Sequence, residues 1–424
     1  MMMKTWKIFK QPPIIKKLSN GIEVHYILEN TNVTYVQLDV GFGSYYLTYE
    51  RNGKFIQTIP GIAHFLEHKM FAMEEGDAFK YLSSIGVSAN AMTTYRQTSY
   101  TLNGTSRVLE AIRYLLKVIS TPYFTTENIE SEKKIIIEEI SMYDNDPDTK
   151  IYQDLYKNML HQHPLLYDIL GTKESVQSIQ KNHLTKIYRD FYQPKKIKLY
   201  ILGQVDVDYY HEALEETVKS LDVFEDVSIK IPKIHEPQSI KVDVDTKVYP
   251  ISRPKLVVGV KHQTDSMEEK VLVKTEIATL FLFQMMIGNT SSFAEKLIQD
   301  EIINDQFNSS ITMEDETLIF TMDNFTDDTM KLEDMIKEYY KHPEAFIHSE
   351  AFDLLKRAYL GSYMMALDDV ENRLFLYGKY YMNGISLEDA IDCLNELTIE
   401  DIWNLHRNIK LDQFSFLHAI PNYE

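Results

Sequence analysis

Cysteine is almost absent from this chain: Cys393 stands alone among 424 residues. An intrachain disulfide is therefore impossible, and a zinc site built on cysteine thiolates is excluded. Histidine and carboxylate remain as the ligands open to any metal. A lone thiol also accords with a reducing compartment. Positive charge is in short supply, with 44 Lys+Arg against 63 Asp+Glu and a net charge of -19. No long basic run interrupts that balance, so nucleic acid is not an expected partner. Long apolar runs are missing too. The strongest, residues 277–288 (IATLFLFQMMIG), is about a dozen residues, short of the ~20 a membrane span needs, and contains Gln284. It reads as a buried core helix, and no membrane association is expected. The N-terminal segment is basic but lacks an apolar core and a small-residue cleavage site, so a cytoplasmic location is expected. Disorder is excluded by 44% apolar and 12% aromatic content.

What is present is an alternation of strand-like and helix-like blocks. Residues 24–27, 35–40, 95–103 and 198–203 read as strands, being β-branched, aromatic or short apolar runs. Residues 107–119, 126–143 and 184–191, with a region starting near Gly61, carry apolar residues at helical spacing. Residues 222–239 hold two prolines and several charges without helical order and are read as a linker. The division is then 1–221, linker 222–239, and 240–424. The second half repeats the plan, with strands expected over 240–244, 256–260, 309–313 and 317–322. Residues 179–203 and 397–420 both run from a polar helix start through an apolar stripe into a short apolar strand. A period of about 200 residues is a domain duplication, not a solenoid. The expected class is α+β, with two similar αβ domains in which antiparallel-rich sheets pack with helices.

The most informative segment is residues 61–71, GIAHFLEHKMF. On a helix, His64 and His68 lie one turn apart on one face, and Glu67 borders that face. Two neutral imidazoles can hold Zn²⁺ while an unligated carboxylate handles the proton of a water, which is the arrangement a zinc hydrolase needs. The plain alternative is two surface histidines beside a salt-bridge partner. Phe65 and Leu66, which belong to a core face, argue for a lined pocket instead. A catalytic zinc takes three protein ligands, so one more is required. Residues 131–143 (SEKKIIIEEISMY) offer carboxylates: Glu132 and Glu139 share a helix face two turns apart, and Glu138 sits about 100° away. Helix geometry alone does not choose between Glu138 and Glu139.

The order H-x-x-E-H resembles the inverzincin metallopeptidases. The wider pattern resembles the insulinase and mitochondrial-processing-peptidase family, peptidase family M16. It is carried by GIAHFLEHKMF, by SANAMTTYRQTSY (88–100), by SEKKIIIEEISMYDNDP (131–147) and by HPLLYDILGTKESVQSI (163–179). These motifs span most of residues 20–210; residues 240–424 match through domain pattern only. The resemblance implies a metalloenzyme fold of the LuxS and M16 peptidase type, and one zinc per chain held by His64, His68 and Glu139. It implies Glu67 as the catalytic general base and Glu132, seven residues before Glu139, as the carboxylate that orients the site. It also implies Asn90 and Ala91 on a strand edge that takes an extended peptide substrate by β-augmentation.

The family completes its site with an Arg and a Tyr seven residues apart from a C-terminal domain. In residues 291–307 those positions fall on Ile298 and Asp305, which cannot hold an oxyanion. Arg373 and Tyr380 have the spacing, but in a context that reads as a helix with an aromatic core face. The resemblance therefore implies a heterodimer in which this chain is the zinc subunit and a second M16-like subunit brings the Arg/Tyr pair. In isolation, two copies could instead pair as a homodimer. A bacterial subgroup of such paired chains, named for an association with elongation factor P modification, is the nearest resemblance. The expectation is a zinc endopeptidase subunit that works on extended peptides inside a chamber. Its rival is a non-catalytic peptide-binding or assembly subunit.

Overall fold

The computed structural model describes residues 8–221, 227–266 and 268–422. The first residues of the expected linker, 222–226, lie outside the described residues. The chain folds as two compact units. The first comprises residues up to 142, 167–233 and 367–382, and the second comprises 143–166, 234–366 and 383–424.

The first unit is built on a six-stranded sheet. Its strands are β1 (Ile14–Lys17), β2 (Glu23–Leu28), β3 (Thr34–Val40), β4 (Ser88–Thr93), β5 (Thr98–Gly104) and β6 (Ile197–Gly203), in the order β1-β2-β6-β3-β5-β4. β6 runs parallel to β2, and the other pairings are antiparallel. Period-two alternation decides what each face carries. Val36, Leu38 and Val40 of β3 join Val24, Tyr26, Tyr100 and Leu102 in one core. The helix Val108–Ser120 adds Ile112, Leu115, Leu116 and Ile119 to it. Each such buried side chain is worth about 1.5–3 kcal/mol.

The opposite face is polar. His25, Tyr200 and Gln37 lie across from one another in register, and Asp39, opposite Lys198, follows two residues along the same face of β3. They are covered by the helix Val370–Met382, which comes from the far end of the chain. Tyr377 Oη lies 2.7 Å from His25 Nδ1, Tyr381 donates to Glu23 Oε1 at 2.7 Å, and Arg373 donates to Glu29 at 3.1 Å. Asp39 is fully buried, and burial pushes its carboxyl up to about 6 against the hydrogen bonds from Ser99, Gln37 and Gln97.

The second unit repeats the plan with β7 (Val244–Tyr249), β8 (Lys255–Gln263), β9 (Asn308–Glu314), β10 (Thr317–Phe325) and β11 (Phe414–Pro421), ordered β7-β11-β8-β10-β9. β11 is parallel to β7, as β6 is to β2. The duplication expected from the two chain ends is thus a shared strand order. One face packs Leu256, Val258, Val260 and Phe320 against Phe281, Leu282 and Met286 of the helix Glu269–Ile287. The other face takes the helix Pro147–Met159 from the first half of the sequence. Tyr152 bonds Asp323 at 2.5 Å, and Lys261 reaches Met159 O at 2.7 Å and the buried carboxylate of Glu236 at 2.8 Å.

Three expectations shift. The strand expected over 240–244 begins only at Val244, because the Lys241 and Val242 N–H groups are spent on Asn158 O and sheet pairing starts after them. The strand expected from Tyr95 begins at Thr98, because the Thr94 hydroxyl accepts from the Arg96 and Gln97 N–H groups and folds a turn there. The dozen-residue apolar run lies within a longer helical stretch. By length and composition alone, residues 269–299 could cross a membrane, and 61% of the apolar window is buried inside the unit.

Gly378 shows how tightly the polar face is covered. A Cβ there would lie 2.6 Å from Gln37 Nε2 and 2.8 Å from Asp39 Oδ2, whereas a Cβ on Gly361, in the helix Ser349–Asp368, would meet nothing within 4 Å. Gly361→Ala should therefore stabilise by up to about 1 kcal/mol through helix propensity. Gly378→Ala should destabilise by about 1–3 kcal/mol through overpacking. Urea unfolding of the two variants checks this; a stabilised Gly378→Ala would contradict the packing described.

Candidate metal centre

Residues 62–70 form the helix α1 (Ile62–Met70), and all of its residues except His68 are buried. Nine residues are too few to hold a helix by propensity, so tertiary contacts must define it. Its start is pinned by two glycines. Gly61 caps it at φ +86°, and a Cβ there would lie 2.3 Å from Leu170 O. A Cβ on Gly171, at φ +79°, would lie 2.5 Å from Pro60 O, and Ser175 Oγ donates to the same Pro60 carbonyl at 2.8 Å. Segments from two of the resembling blocks thus cross at backbone contact, and only glycine allows it.

α1 directs His64, Glu67 and His68 toward a long helix, α2 (Thr126–Asp144). The His64 and His68 rings stand 4.6 Å apart between centroids. Glu139 Oε2 lies 3.8 Å from His64 Nε2 and 3.9 Å from His68 Nε2. One ligand atom from each of the three falls within 4.8 Å of the others. Tetrahedral zinc with bonds of ~2.0–2.2 Å spaces its ligands roughly 3.3–3.6 Å apart, so both Glu139–histidine separations lie within a few tenths of an ångström of what zinc needs, and two imidazoles with one carboxylate are a donor set that suits it. Glu138, one residue earlier, is exposed, and the choice left open by helix geometry falls to Glu139.

The surrounding groups are each fixed. Glu132 Oε1 is 3.0 Å from His68 Nδ1, which places the proton on Nδ1 and leaves Nε2 as a lone-pair donor facing Glu139. Lys69, only 2% exposed, donates to Glu132 Oε2 at 3.1 Å and to Asn128 O at 3.2 Å. Glu67 is not one of the three clustered ligand groups; Thr93 donates to its Oε2 at 2.7 Å.

Burial, with the neighbouring His68, lowers His64 to about 4, so its imidazole is neutral at physiological pH. Burial pushes Glu67 up, partly opposed by the Thr93 hydroxyl. For His68 burial acts downward, but Glu132, Glu67 and Glu139 together raise it. For Glu132 burial acts upward, yet His68 and Lys69 hold it below the usual carboxylate range.

β4 is the outer strand of its sheet, pairing only with β5 among the described residues. Asn90 O accepts from Thr101 Oγ1 of β5 at 3.4 Å, so strand alternation turns the Ala91 N–H and C=O outward. Asn90 Oδ1 holds that outward N–H at 2.9 Å. The structure thus brings His64, Glu67, His68, Glu132 and Glu139 to one place, with Asn90 and Ala91 on the adjoining edge. Thr93 and Lys69 were missed by sequence reasoning. Thr93 stood within the SANAMTTY run and Lys69 directly after His68, but a threonine or lysine has no spacing rule that marks it as a partner. Arg373 is engaged with Glu29, Ile298 is 41% exposed and Asp305 is also exposed.

Residues 26–173 match the model of insulinase (peptidase family M16), and residues 178–359 match the M16 inactive domain. The chain is 30% identical over 412 residues to the uncharacterized zinc protease YmfH of Bacillus subtilis (strain 168), covering 96% of each. It is 25% identical to the mitochondrial-processing peptidase subunit beta of Caenorhabditis elegans over 56% of this chain and 51% of that one. Among solved structures, an M16-like peptidase from Alicyclobacillus acidocaldarius superposes with a TM-score of 0.90 at 27% identity, over 97% of this chain and 98% of that one. The chain belongs to peptidase family M16, the insulinase family.

Zinc affinity separates the carboxylates. Glu139→Ala is expected to abolish tight binding, Glu138→Ala to leave it intact, and Glu132→Ala to weaken it roughly 10–100-fold. Competition with a chromophoric chelator reads all three; equal losses for Glu138 and Glu139 would refute the assigned trio.

Proposed function

We propose that the chain is the zinc-binding, catalytic subunit of a peptidase that hydrolyses extended peptides. His64, His68 and Glu139 hold the metal, Glu132 orients His68, and Glu67 is the general base. The observation that carries this reading is the placement of Glu67. It is buried on the helix that carries both histidines, outside the ligand set, within electrostatic reach of His68 and Glu139, and tied through Thr93 to the strand that would carry a peptide. A purely structural metal site gives such a carboxylate no task.

A zinc ion bound there supplies Lewis-acid polarisation and makes water acidic enough to attack at neutral pH. Glu67 takes the proton of the attacking water and returns it to the leaving amine. Thr93 keeps the carboxylate aimed while it does so. A substrate pairs its backbone with the outward Ala91 N–H and C=O, displacing the Asn90 side chain that covers the N–H in the free chain.

The chain supplies no arginine or tyrosine at the positions of Ile298 and Asp305, and Arg373 is committed to Glu29. This supports pairing with a second M16-like subunit that brings the oxyanion clamp. The same departure favours the second reading, a peptide-binding subunit without catalysis, and stoichiometric zinc in a chelator-free preparation argues against it. Glu67→Gln should retain zinc and lower peptide hydrolysis by a factor on the order of 10²–10⁴. Metal analysis and a peptide-cleavage assay of that variant check both halves; hydrolysis at the unsubstituted rate would remove Glu67 from the mechanism.

A further inference from the structure

Lys69 follows His68 on α1 and is almost wholly buried, at 2% exposure. Its ammonium group makes two contacts, both with α2: Asn128 O at 3.2 Å and Glu132 Oε2 at 3.1 Å. Asn128 and Glu132 are one helical turn apart on one face of α2, and Glu139 shares that face. The Asn128 carbonyl is a fixed point. The Asn128 side chain donates to Tyr123 O at 2.8 Å and accepts from the Thr125 N–H at 3.1 Å, while its own N–H donates to Thr125 Oγ1 at 3.1 Å, which closes the start of α2.

A methionine would fill the same space without burying a charge. A buried lysine–glutamate pair is a poor source of stability, because desolvation of both ions offsets most of their attraction. What the pair supplies is orientation. Glu132 has two oxygens and each has its own donor: Oε1 lies 3.0 Å from His68 Nδ1, and Oε2 is held by Lys69. With Oε2 held, the carboxylate cannot turn away from the imidazole. With Nδ1 engaged, His68 Nε2 is left facing Glu139 at 3.9 Å. His68 is the one residue of α1 that is not buried, so packing alone does not fix its ring.

We propose that Lys69 is a positioning residue for the metal centre: anchored on Asn128 O, it clamps Glu132 against His68 and thereby holds the Nε2 donor in place. The proposal rests on the zinc-site reading above. A cation beside a metal ion repels it, so the charge of Lys69 taken alone opposes zinc binding. Removing the lysine tightens zinc if charge decides the outcome and weakens it if orientation does.

The test uses the full chain with Zn²⁺ as the probe and competition against a chromophoric chelator as the readout. Circular dichroism and urea unfolding of each metal-free variant are measured beside it. Lys69→Met should weaken zinc about 3–30-fold, a share of the 10–100-fold expected when the orienting carboxylate itself is lost. In the Glu132→Ala background the same substitution should cause no further loss beyond about twofold, because no carboxylate remains to be held. Lys69→Gln should weaken zinc in the same direction but less, since its amide can still donate to Glu132, and it carries the test should Lys69→Met fail to fold. A lysine that serves stability alone would lower the urea midpoint in both backgrounds and leave zinc affinity where it was. Unchanged or tighter zinc in a folded Lys69 variant, or an equal loss with and without Glu132, would overturn the positioning role and leave the metal site standing. An unsubstituted chain that binds no zinc would remove both.

Discussion

Burial of ionisable side chains on α1 is the constraint around which the first unit is arranged. His64 and Glu67 are each 8% exposed on a helix of nine residues. A helix this short has no independent stability, and buried polar groups are costly unless each finds a partner. The fold answers on both counts. Gly61 and Gly171 let two loops cross at backbone contact and fix the entry of α1. Thr93 on β4 satisfies Glu67, and Glu132 on α2 satisfies both His68 and Lys69. The segments that hold α1 are therefore the segments that complete the site. Stability and chemistry draw on one set of contacts here.

Each unit meets a second constraint in its own way. A sheet with one apolar and one polar face cannot leave both open to water. In the first unit the polar face is closed by the helix Val370–Met382, whose tyrosines satisfy His25 and Glu23 and whose Gly378 admits the Gln37 and Asp39 side chains. In the second unit the helix Pro147–Met159 closes the corresponding face. There the glycine is on the sheet, since a Cβ on Gly259 would lie 2.3 Å from Met159 Sδ. The same packing problem is solved by removing a Cβ from the helix in one case and from the strand in the other. It also accounts for Arg373 and Tyr377, which serve the sheet they cover.

The β4 edge links these two themes. Its inward face leads through Thr93 to Glu67, and its outward face leads to Gln37 and the carboxylates of the covering helix.

What the sequence by itself determined is local and periodic. His64, Glu67 and His68 fall on one face of a helix because 3.6 residues make a turn, and Glu132 and Glu139 share a face for the same reason. The strand order of the two units also left its trace in the matching ends at 179–203 and 397–420. The tertiary structure alone decided everything that joins distant segments. It brought Glu139 rather than Glu138 to the histidines, because the rotation of α2 against α1 is fixed by core packing and not by spacing. It recruited Thr93 and Lys69, which no periodicity marks. It also sent residues 370–382 to the first unit and 147–159 to the second, because each sheet's remaining face had to be buried and the complementary helix lay elsewhere in the chain. Local spacing can place ligands on a helix, but their convergence on one point is a long-range packing outcome that the linear pattern does not contain.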